Sequence, residues 1–305
     1  MLKFSQISLS HLTRMVGRPD VTCVFHDATK TAQYIVACPD TRDALIIDAA
    51  LDFTLSSGKV ETTNADEIVR VVKEKGYNIK WLLETHVHAD HLTASAYLKT
   101  VFPEAKIGIR NAITVVQATF AKLLEWPEEF KSDGSQFDVL FEDGQVIPFG
   151  KEMELRVMAT PGHTPACSTY VVGDCAFCGD TIFMPDFGSA RCDFPNGSAD
   201  VLYDSVQSIL ALRDDTRLFV GHDYAPGGRP IAWETTIAEE RMTNIHLRKG
   251  ISKVEFAAMR KKKDLTLNVP ALLYPALQVN CRAGVLPAAT DALGAYFRIP
   301  ASGGW

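Results

Sequence analysis

Short apolar runs alternate along this chain with longer segments in which apolar residues recur at helical spacing. The runs "AQYIVAC" and "DALIIDAA" are rich in strand-forming residues and are separated by a Pro-Asp turn, which predicts a β-hairpin. "ADEIVRVVKEKG" has the spacing of an amphipathic helix and ends on Gly76, a residue typical of helix C-termini. "IKWLLETH" then predicts a buried strand. The alternation favours an α/β domain.

The same alternation continues beyond the first hundred residues. "TASAYLKTVF" predicts a helix closed by Pro103, and a further helix is expected from Asn111 towards Trp126, before a polar loop. Strands are predicted at "MELRVMATP", "CSTYVVG", "CAFCGDT" and "TRLFVGHD", with a helix at "ADVLYDSVQSILAL". The pattern becomes mixed from about Ala225, with one helix expected around Trp233 to Arg248. We therefore expect one α/β domain over residues 19–305, with a C-terminal extension from about 225.

The composition is that of a globular protein with ample material for a core. The 305 residues are 47% hydrophobic and 22% charged, with a formal net charge of −6. This charge argues against general binding to nucleic acid or to a membrane surface, and no apolar run approaches the roughly 18 residues of a membrane span. The short basic stretch from Arg260 to Lys263 is expected to form a solvated helix face.

Seven cysteines are spread through a chain that is too large to need disulfides, which favours free thiols in a reducing compartment. Cys175 and Cys178 form a CxxC pair within a predicted strand, where positions three apart point to opposite faces. Buried packing is therefore expected for both thiols, rather than a shared metal.

The first 18 residues differ from the rest of the chain, with basic and hydroxyl residues and no acid before Asp20. This N-terminal extension is compatible with a mitochondrial transit peptide, and an inert extension is an equal alternative. A secretory signal is not expected, because the extension lacks a continuous apolar core. We expect a location in the cytoplasm or the mitochondrial matrix.

Side chains that bind metals follow four of the predicted strands. Any one of them alone would be read as an ordinary structural residue, but Gly162, Gly179 and Gly221 each precede one, and glycine permits turns that aim a side chain over a sheet edge. Strand ends can converge on one point, so we expect a metal site there. The candidate ligands are His86, His88, Asp90 and His91 in "THVHADH", His163 in "PGHTP", Asp180 in "GDT" and His222 in "GHDY".

These four motifs, in this order, resemble the metallo-β-lactamase superfamily from about Pro19 to the tail. The resemblance implies a four-layer αβ/βα sandwich with the metal at one edge of two packed sheets. In the two-metal hydrolases of that superfamily, such as glyoxalase II, the matching residues divide between two ions. His86, His88 and His163 would hold one ion, Asp90, His91 and His222 the other, with Asp180 as the bridge.

A longer segment, "GDTIFMPDFGSARCDFPNGSADVLYDSVQSILAL", is similar to the persulfide dioxygenases, and most of all to their bacterial branch often called β-lactamase-like hydrolase. The animal mitochondrial enzyme differs within "ARCDF". The family implies one Fe(II) per chain, held by His86, His163 and Asp180. Such a set leaves coordination positions open for oxygen and a substrate sulfur. His88, Asp90, His91 and His222 would then orient the ligands and pass protons.

The activity implied by this resemblance is oxidation of glutathione persulfide, with O2 and water, to sulfite and glutathione. The alternative is a binuclear zinc hydrolase of the glyoxalase II or lactonase type, because all seven ligands of that class are present. A non-catalytic metal or sulfide-sensing binder is the third hypothesis.

The carboxylates of glutathione call for local cations in an acidic chain. Arg191 matches the arginine that the family places near glutathione, and Tyr224 is expected to reach the iron or the substrate sulfur. The structural alternative for Arg191 is an ion pair with Asp186 or Asp193.

Two residues and the assembly state complete the expectations. Arg282 in "NCRAG" is a further candidate for substrate binding, with packing or surface exposure as the alternative. Cys192 is expected to be an inert thiol, the alternative being a carrier of persulfide. A homodimer is left open.

Overall fold

The computed structural model describes residues 17–288 and 294–301, and its elements are numbered along the chain. The strands are β1 (Asp20–His26), β2 (Thr31–Ala37), β3 (Asp43–Ile47), β4 (Ala50–Thr54), β5 (Lys59–Glu61), β6 (Asn78–Leu83), β7 (Leu92–Thr93), β8 (Lys106–Arg110), β9 (Val139–Phe141), β10 (Val146–Phe149), β11 (Met153–Ala159), β12 (Ser168–Val172), β13 (Cys175–Phe177), β14 (Arg217–Phe219) and β15 (Glu234–Thr236). The helices are α1 (Thr63–Lys75), α2 (Ser95–Val101), α3 (Ile113–Leu123), α4 (Ala199–Leu210), α5 (Ile237–Thr243), α6 (Lys253–Asp264) and α7 (Leu273–Asn280).

Two six-stranded sheets form the centre of the molecule. The first has the order β1-β2-β3-β6-β8-β9, antiparallel up to β3 and parallel from β3 to β9. The second has the order β10-β11-β12-β13-β14-β15, and only β13 and β14 run parallel in it. The predicted hairpin is confirmed as β2 and β3. A small sheet of β5, β4 and β7 lies apart from both.

Side-chain alternation along the strands separates two faces of each sheet. Tyr34 and Val36 of β2 belong to the apolar cluster between the two sheets, whereas Ile35 and Ala37 belong to the cluster beneath the helices. Both sets are buried, which explains why β2 reads as a continuous apolar run rather than an alternating one.

Helices cover both outer faces. Apolar residues of α1, α2, α3 and α7 pack on the first sheet, and those of α4, α5 and α6 pack on the second. The molecule is therefore a four-layer αβ/βα sandwich, as the resemblance implied. Helix α1 ends where expected, because Gly76 takes the left-handed conformation with φ 64°.

The helix predicted from Trp233 to Arg248 was wrong at both ends. Residues Glu234–Thr236 instead form β15, which pairs with the free edge of β14. The threonines at 235 and 236 favour a strand, and the side chain of Thr236 accepts a hydrogen bond from the Glu239 amide to begin α5. The helix then ends at Thr243, much earlier than expected.

The expected solvated face of the basic stretch was wrong for its first residue. Arg260 is 1% exposed and forms an ion pair with Asp264, one turn along α6, at 2.6 Å. Lys261 and Lys262 are exposed as predicted, and Lys263 is half-buried. An arginine is tolerated inside because its paired carboxylate compensates for lost hydration.

The CxxC pair is divided between two cores, as predicted. Cys175 faces the cluster between the sheets, and Cys178 faces the cluster beneath α4 and α6. All seven cysteines are free thiols.

No described helix is long and apolar enough to cross a bilayer. The proposed targeting segment lies, up to residue 16, outside the described residues. Arg18 contacts the turn before β13, with Nε 3.4 Å from Asp174 Oδ2.

Candidate metal centre

The predicted ligands come from the ends of strands in both sheets. His86 follows β6 of the first sheet, whereas His163, Asp180 and His222 follow β11, β13 and β14 of the second. Because the two sheets pack face to face, these strand ends meet at one edge of the sandwich. The residues are at most 9% exposed, so the ligand atoms lie inside the protein.

His86, His163 and Asp180 form one group. Each offers a ligand atom within 4.8 Å of the other two. Nε2 of His86 lies 3.9 Å and Nε2 of His163 lies 4.0 Å from Asp180 Oδ2, too far for hydrogen bonds. His86 Nε2 is buried without a hydrogen-bond partner. Donors that converge without bonding one another are what a metal ion requires.

Hydrogen bonds on the far side of each ring select the nitrogen that faces this group. His163 Nδ1 donates to the carbonyl of Arg191 at 2.8 Å. Thr85 donates its hydroxyl to Asp48 Oδ2 at 2.7 Å, so its oxygen accepts from His86 Nδ1 at 3.0 Å. Both Nε2 atoms therefore carry a lone pair towards Asp180, the arrangement found for histidine ligands of metals.

The protonation of these groups also suits a cation. Burial lowers the pKa of His163, and burial together with His88 and His163 lowers the pKa of His86 well below its ordinary value. Neutral imidazoles are the form that binds metals. Burial raises the pKa of Asp180, a cost that a bound cation would offset.

A second group lies beside the first. His88, Asp90, His91 and His222 offer ligand atoms that are all within 4.8 Å of one another. His222 Nε2 lies 3.4 Å from Asp180 Oδ1, whereas Oδ2 of the same carboxylate faces the first group. The ring of His88 is also close to the first group, with its centroid 4.1 Å from that of His86, so its place in the two-metal scheme stays a prediction.

The donor sets fit the metals that the sequence predicted. Imidazole nitrogens and carboxylate oxygens suit Fe(II) and Zn²⁺ alike, so the residues discriminate little between the two ions. The first group would hold an ion through three protein donors, which leaves further positions for water or substrate. His222 Nδ1 lies 3.2 Å from the carbonyl of Lys30, and its donation there leaves Nε2 for a metal in the second group.

A cavity of about 490 Å³ opens onto the first group. Asp90, His163 and Asp180 line it at the metal end. Aromatic side chains make up much of the wall, and they are Phe183, Phe187, Phe194 and Tyr224. The ring of Tyr224 stacks on His222 with centroids 6.0 Å apart. A pocket of this size accepts a small peptide-like molecule.

Comparison with known proteins identifies the family. The model of the metallo-β-lactamase superfamily matches residues 30–222. The chain belongs to this superfamily. The matched range begins at Lys30, directly before β2, and ends on His222, so it contains both groups of ligands but not α5, α6 or α7.

Relatives of the chain within the superfamily are named after two different activities. The chain is 45% identical over 271 residues to glyoxylase B2 of Dictyostelium discoideum, covering 88% of this chain and 92% of that protein. It is 32% identical over 265 residues to the mitochondrial persulfide dioxygenase ETHE1 of Homo sapiens, covering 86% and 87%. The crystal structure of ETHE1 from Myxococcus xanthus matches with a TM-score of 0.69 at 29% identity, covering 87% of this chain and all of that one.

Two of the glycines beside the ligands are required by close packing at the superfamily's metal edge. Gly179 has φ 49°, and a Cβ there would lie 2.3 Å from Thr85 Oγ1. Gly162 has φ 135°, and its Cβ would lie 2.4 Å from the backbone nitrogen of Leu202. Both positions therefore hold the turn conformations expected for them.

Sequence reasoning missed two carboxylates. His88 Nε2 lies 3.1 Å from Asp48 Oδ1 and 3.3 Å from Glu84 Oε2, and all three side chains are buried. Burial opposes a charge on His88, but the two carboxylates raise its pKa well above the ordinary value. Asp48 and Glu84 directly follow β3 and β6, so the rule that located the histidines would also have found them.

The structure brings Arg191 to the cavity but pairs it with Asp193. Nε and Nη2 of Arg191 donate to the two carboxylate oxygens, each at 2.6 Å, and Nη1 donates to the carbonyl of Asn268 at 2.8 Å. Asp186, the other expected partner, binds Arg229 instead. Tyr224, the second expected substrate contact, lies in the cavity wall and is 46% exposed.

Arg282 is not brought to the metal cavity. It lines a separate cavity of about 850 Å³, where its guanidinium lies 4.6 Å from the ring centroids of both Trp126 and Phe130. It also donates to the carbonyl of Gln278 at 2.6 Å.

Cys192 is 8% exposed, and burial raises the pKa of its thiol, which makes it a poor nucleophile.

Proposed function

We propose that this chain is a persulfide dioxygenase, which oxidises glutathione persulfide with O2 and water to sulfite and glutathione at one Fe(II) per chain. The observation that carries the proposal is the group of His86, His163 and Asp180, two neutral imidazoles and one carboxylate around a common point. The likeness to the ETHE1 proteins supports the choice of substrate.

Bound iron(II) would supply the redox partner that O2 needs for reaction with a closed-shell sulfur compound. The protein's own part is to hold the metal, to orient its ligands and to exclude bulk water. His86 and His163 present fixed lone pairs, and Asp180 offsets part of the metal charge. Phe183 and Phe194 give the cavity an apolar wall, which limits the bulk water around the reacting sulfur. The positions that His86, His163 and Asp180 leave open on a bound ion would keep sulfur and O2 close together, which lowers the entropic part of the barrier.

A binuclear zinc hydrolase acting on a glutathione thioester is the second candidate. The second group of ligands supports it, as does Asp180, whose two oxygens face different groups. The 45% identity to a protein named glyoxylase B2 points the same way. Such a site would hold two ions and activate a water molecule between them.

Metal analysis and two assays separate the candidates. Protein purified without added metal is expected to contain about one iron per chain, and to consume O2 and release sulfite when given glutathione persulfide. Two zinc ions per chain, with hydrolysis of a glutathione thioester and no O2 uptake, would exclude the dioxygenase.

A pair of variants sharpens this test. His163→Ala removes a ligand of the first group and is expected to abolish iron retention and activity. His91→Ala removes a residue of the second group alone, so a one-iron enzyme should keep its metal. Loss of all bound metal in both variants would favour the two-metal hydrolase instead.

A further inference from the structure

Three cationic side chains line the cavity that leads to the metal centre, namely Arg191, Arg260 and Lys263. The proposed substrate is an anionic peptide persulfide, so the availability of each cation matters. A cation already bound to a carboxylate of the protein has little to offer a carboxylate of the substrate, because the two would compete for the same donors.

Two of the three cations are committed to carboxylates of the protein. Arg191 is held by Asp193 through two hydrogen bonds. Arg260 donates Nε to Asp264 Oδ1 at 2.8 Å and Nη1 to the carbonyl of Ser189 at 3.1 Å. Releasing either arginine would leave a carboxylate that is at least partly buried without its partner.

Lys263 is different. No carboxylate oxygen of the described residues lies within 4.0 Å of its Nζ, which instead lies 5.6 Å from the ring centroid of Phe187. Burial and the neighbouring Arg260 lower the pKa of this lysine, so a bound anion would relieve an unfavourable environment. The ammonium group is thus half-buried, faces the cavity and has no carboxylate partner among the described residues.

The aromatic wall connects this ammonium group to the metal centre. The ring of Phe187 packs on Tyr224 with centroids 4.9 Å apart, and Tyr224 stacks on His222. Two rings therefore connect Lys263 to His222 along this wall. A substrate that spans them needs a sulfur at one end and an anion several bonds away, as in a peptide thiol with terminal carboxylates.

We propose that Lys263 binds a carboxylate of the glutathione moiety of the substrate, while the sulfur lies at the metal. The inference rests on the proposed function only for the nature of the sulfur group, because a glutathione thioester presents the same carboxylates. It assigns the recognition of charge to α6 rather than to Arg191.

Binding and turnover test this assignment separately. Binding of reduced glutathione to the full-length protein is measured by calorimetry. The KM and kcat are then measured for glutathione persulfide and for a small uncharged alkyl persulfide. Lys263→Met is expected to weaken glutathione binding and to raise the KM for glutathione persulfide about tenfold, with kcat, iron content and the KM for the uncharged persulfide unchanged.

Lys262→Met is the matched control, because it removes the same charge from the adjacent, exposed position. It should leave all values at those of the wild type, and Lys263→Arg should recover most of the binding. Equal effects of the two Met variants, or unchanged glutathione binding in Lys263→Met, would overturn the proposal.

The two proposals can fail independently. Absence of O2 uptake with every persulfide, together with weaker glutathione binding in Lys263→Met, would reject the dioxygenase and keep the role of Lys263. Normal O2 uptake, together with an unchanged KM for glutathione persulfide in Lys263→Met, would keep the dioxygenase and reject the role of Lys263.

Discussion

At the scale of single residues, Thr85 connects the carboxyl-terminal ends of β3 and β6 beside the metal centre. Its amide and hydroxyl both donate to Asp48, and its oxygen accepts from His86 Nδ1. One side chain thereby decides which nitrogen of His86 is free to bind a metal. A hydroxyl is needed because it donates and accepts at once.

Replacing this hydroxyl should weaken the metal site without removing a ligand. Thr85→Val keeps the shape but leaves His86 Nδ1 without an acceptor, and we expect metal affinity to fall about 10- to 100-fold. Thr85→Ser should retain most of it. Competition with a chelator of known affinity measures the change, and equal affinities for Thr85→Val and the wild type would show that the hydroxyl does not set the ring.

The seven ligands could be predicted because each stands in a recognisable motif after a strand. Their grouping could not, since it depends on side-chain orientation. The ring of His88 lies 4.1 Å from that of His86 and 4.2 Å from that of His91, and its Nε2 faces the buried carboxylates of Asp48 and Glu84. Arg191 could be linked to the cavity by resemblance, but its bond to Asp193 is a tertiary contact that spacing does not predict.

At the scale of elements, the predicted strands and helices were those with long, consistent patterns. The strands β1, β4, β5, β7, β8, β9 and β10 were missed. All of them except β1 have five residues or fewer, and their burial is incomplete except in β7, which has only two residues. Such segments form because a neighbouring edge offers hydrogen bonds, and local sequence carries little of that information. The edge of β14 likewise offers hydrogen bonds to residues Glu234–Thr236, which therefore form β15 instead of the start of the expected helix.

Helix α5 carries a buried carboxyl group that should make stability depend on pH. Glu240 is fully buried, and burial raises its pKa from 4.5 to about 8, although Asn244 donates to it. The folded state then binds this proton more tightly than the unfolded chain does. Its contribution to the free energy of unfolding is complete below about pH 4.5 and is lost as the pH rises to about 8.

Glu240→Gln should remove this dependence. The variant is expected to be more stable than the wild type above pH 8, by no more than about 5 kcal/mol, and to differ little at pH 5. Denaturant titrations at the two pH values measure this. Glu239→Gln, at the exposed neighbouring position, should show no such pH-dependent gain, and a pH-independent difference for Glu240→Gln would refute the buried proton.

At the scale of the whole molecule, the metal centre joins the two sheets. His86 belongs to the end of a strand in the first sheet, and His163 and Asp180 belong to the second. A bound ion thus adds a link between halves that otherwise meet through the apolar core and through hydrogen bonds such as that from the Ser168 amide to the Thr85 carbonyl at 2.9 Å. The four layers themselves were predictable, since the family's motifs span most of the chain.

Removing the metal should therefore lower thermal stability. With free metal at about 100 times its Kd, binding contributes about 2.7 kcal/mol, which corresponds to a Tm higher by roughly 5 °C in a chain of this size. A chelator should abolish this difference and metal should restore it. The Asp180→Ala variant serves as the control, because its Tm should not respond to chelator. An unchanged Tm of the wild type on chelation would mean that the ion contributes nothing to holding the sheets together.

The part of the chain that matches the superfamily ends at His222, whereas Tyr224, Arg260, Lys263 and Leu267 of the cavity wall follow it. The segment after residue 222 thus contributes part of the cavity wall and none of the predicted metal ligands, whereas Phe183, Phe187 and Phe194 of the wall belong to the matched part. Exchanging the segment after residue 222 between relatives would alter which molecules enter while leaving every ligand of the metal in place. Substitutions in this segment therefore reshape the cavity without replacing a predicted ligand of the metal.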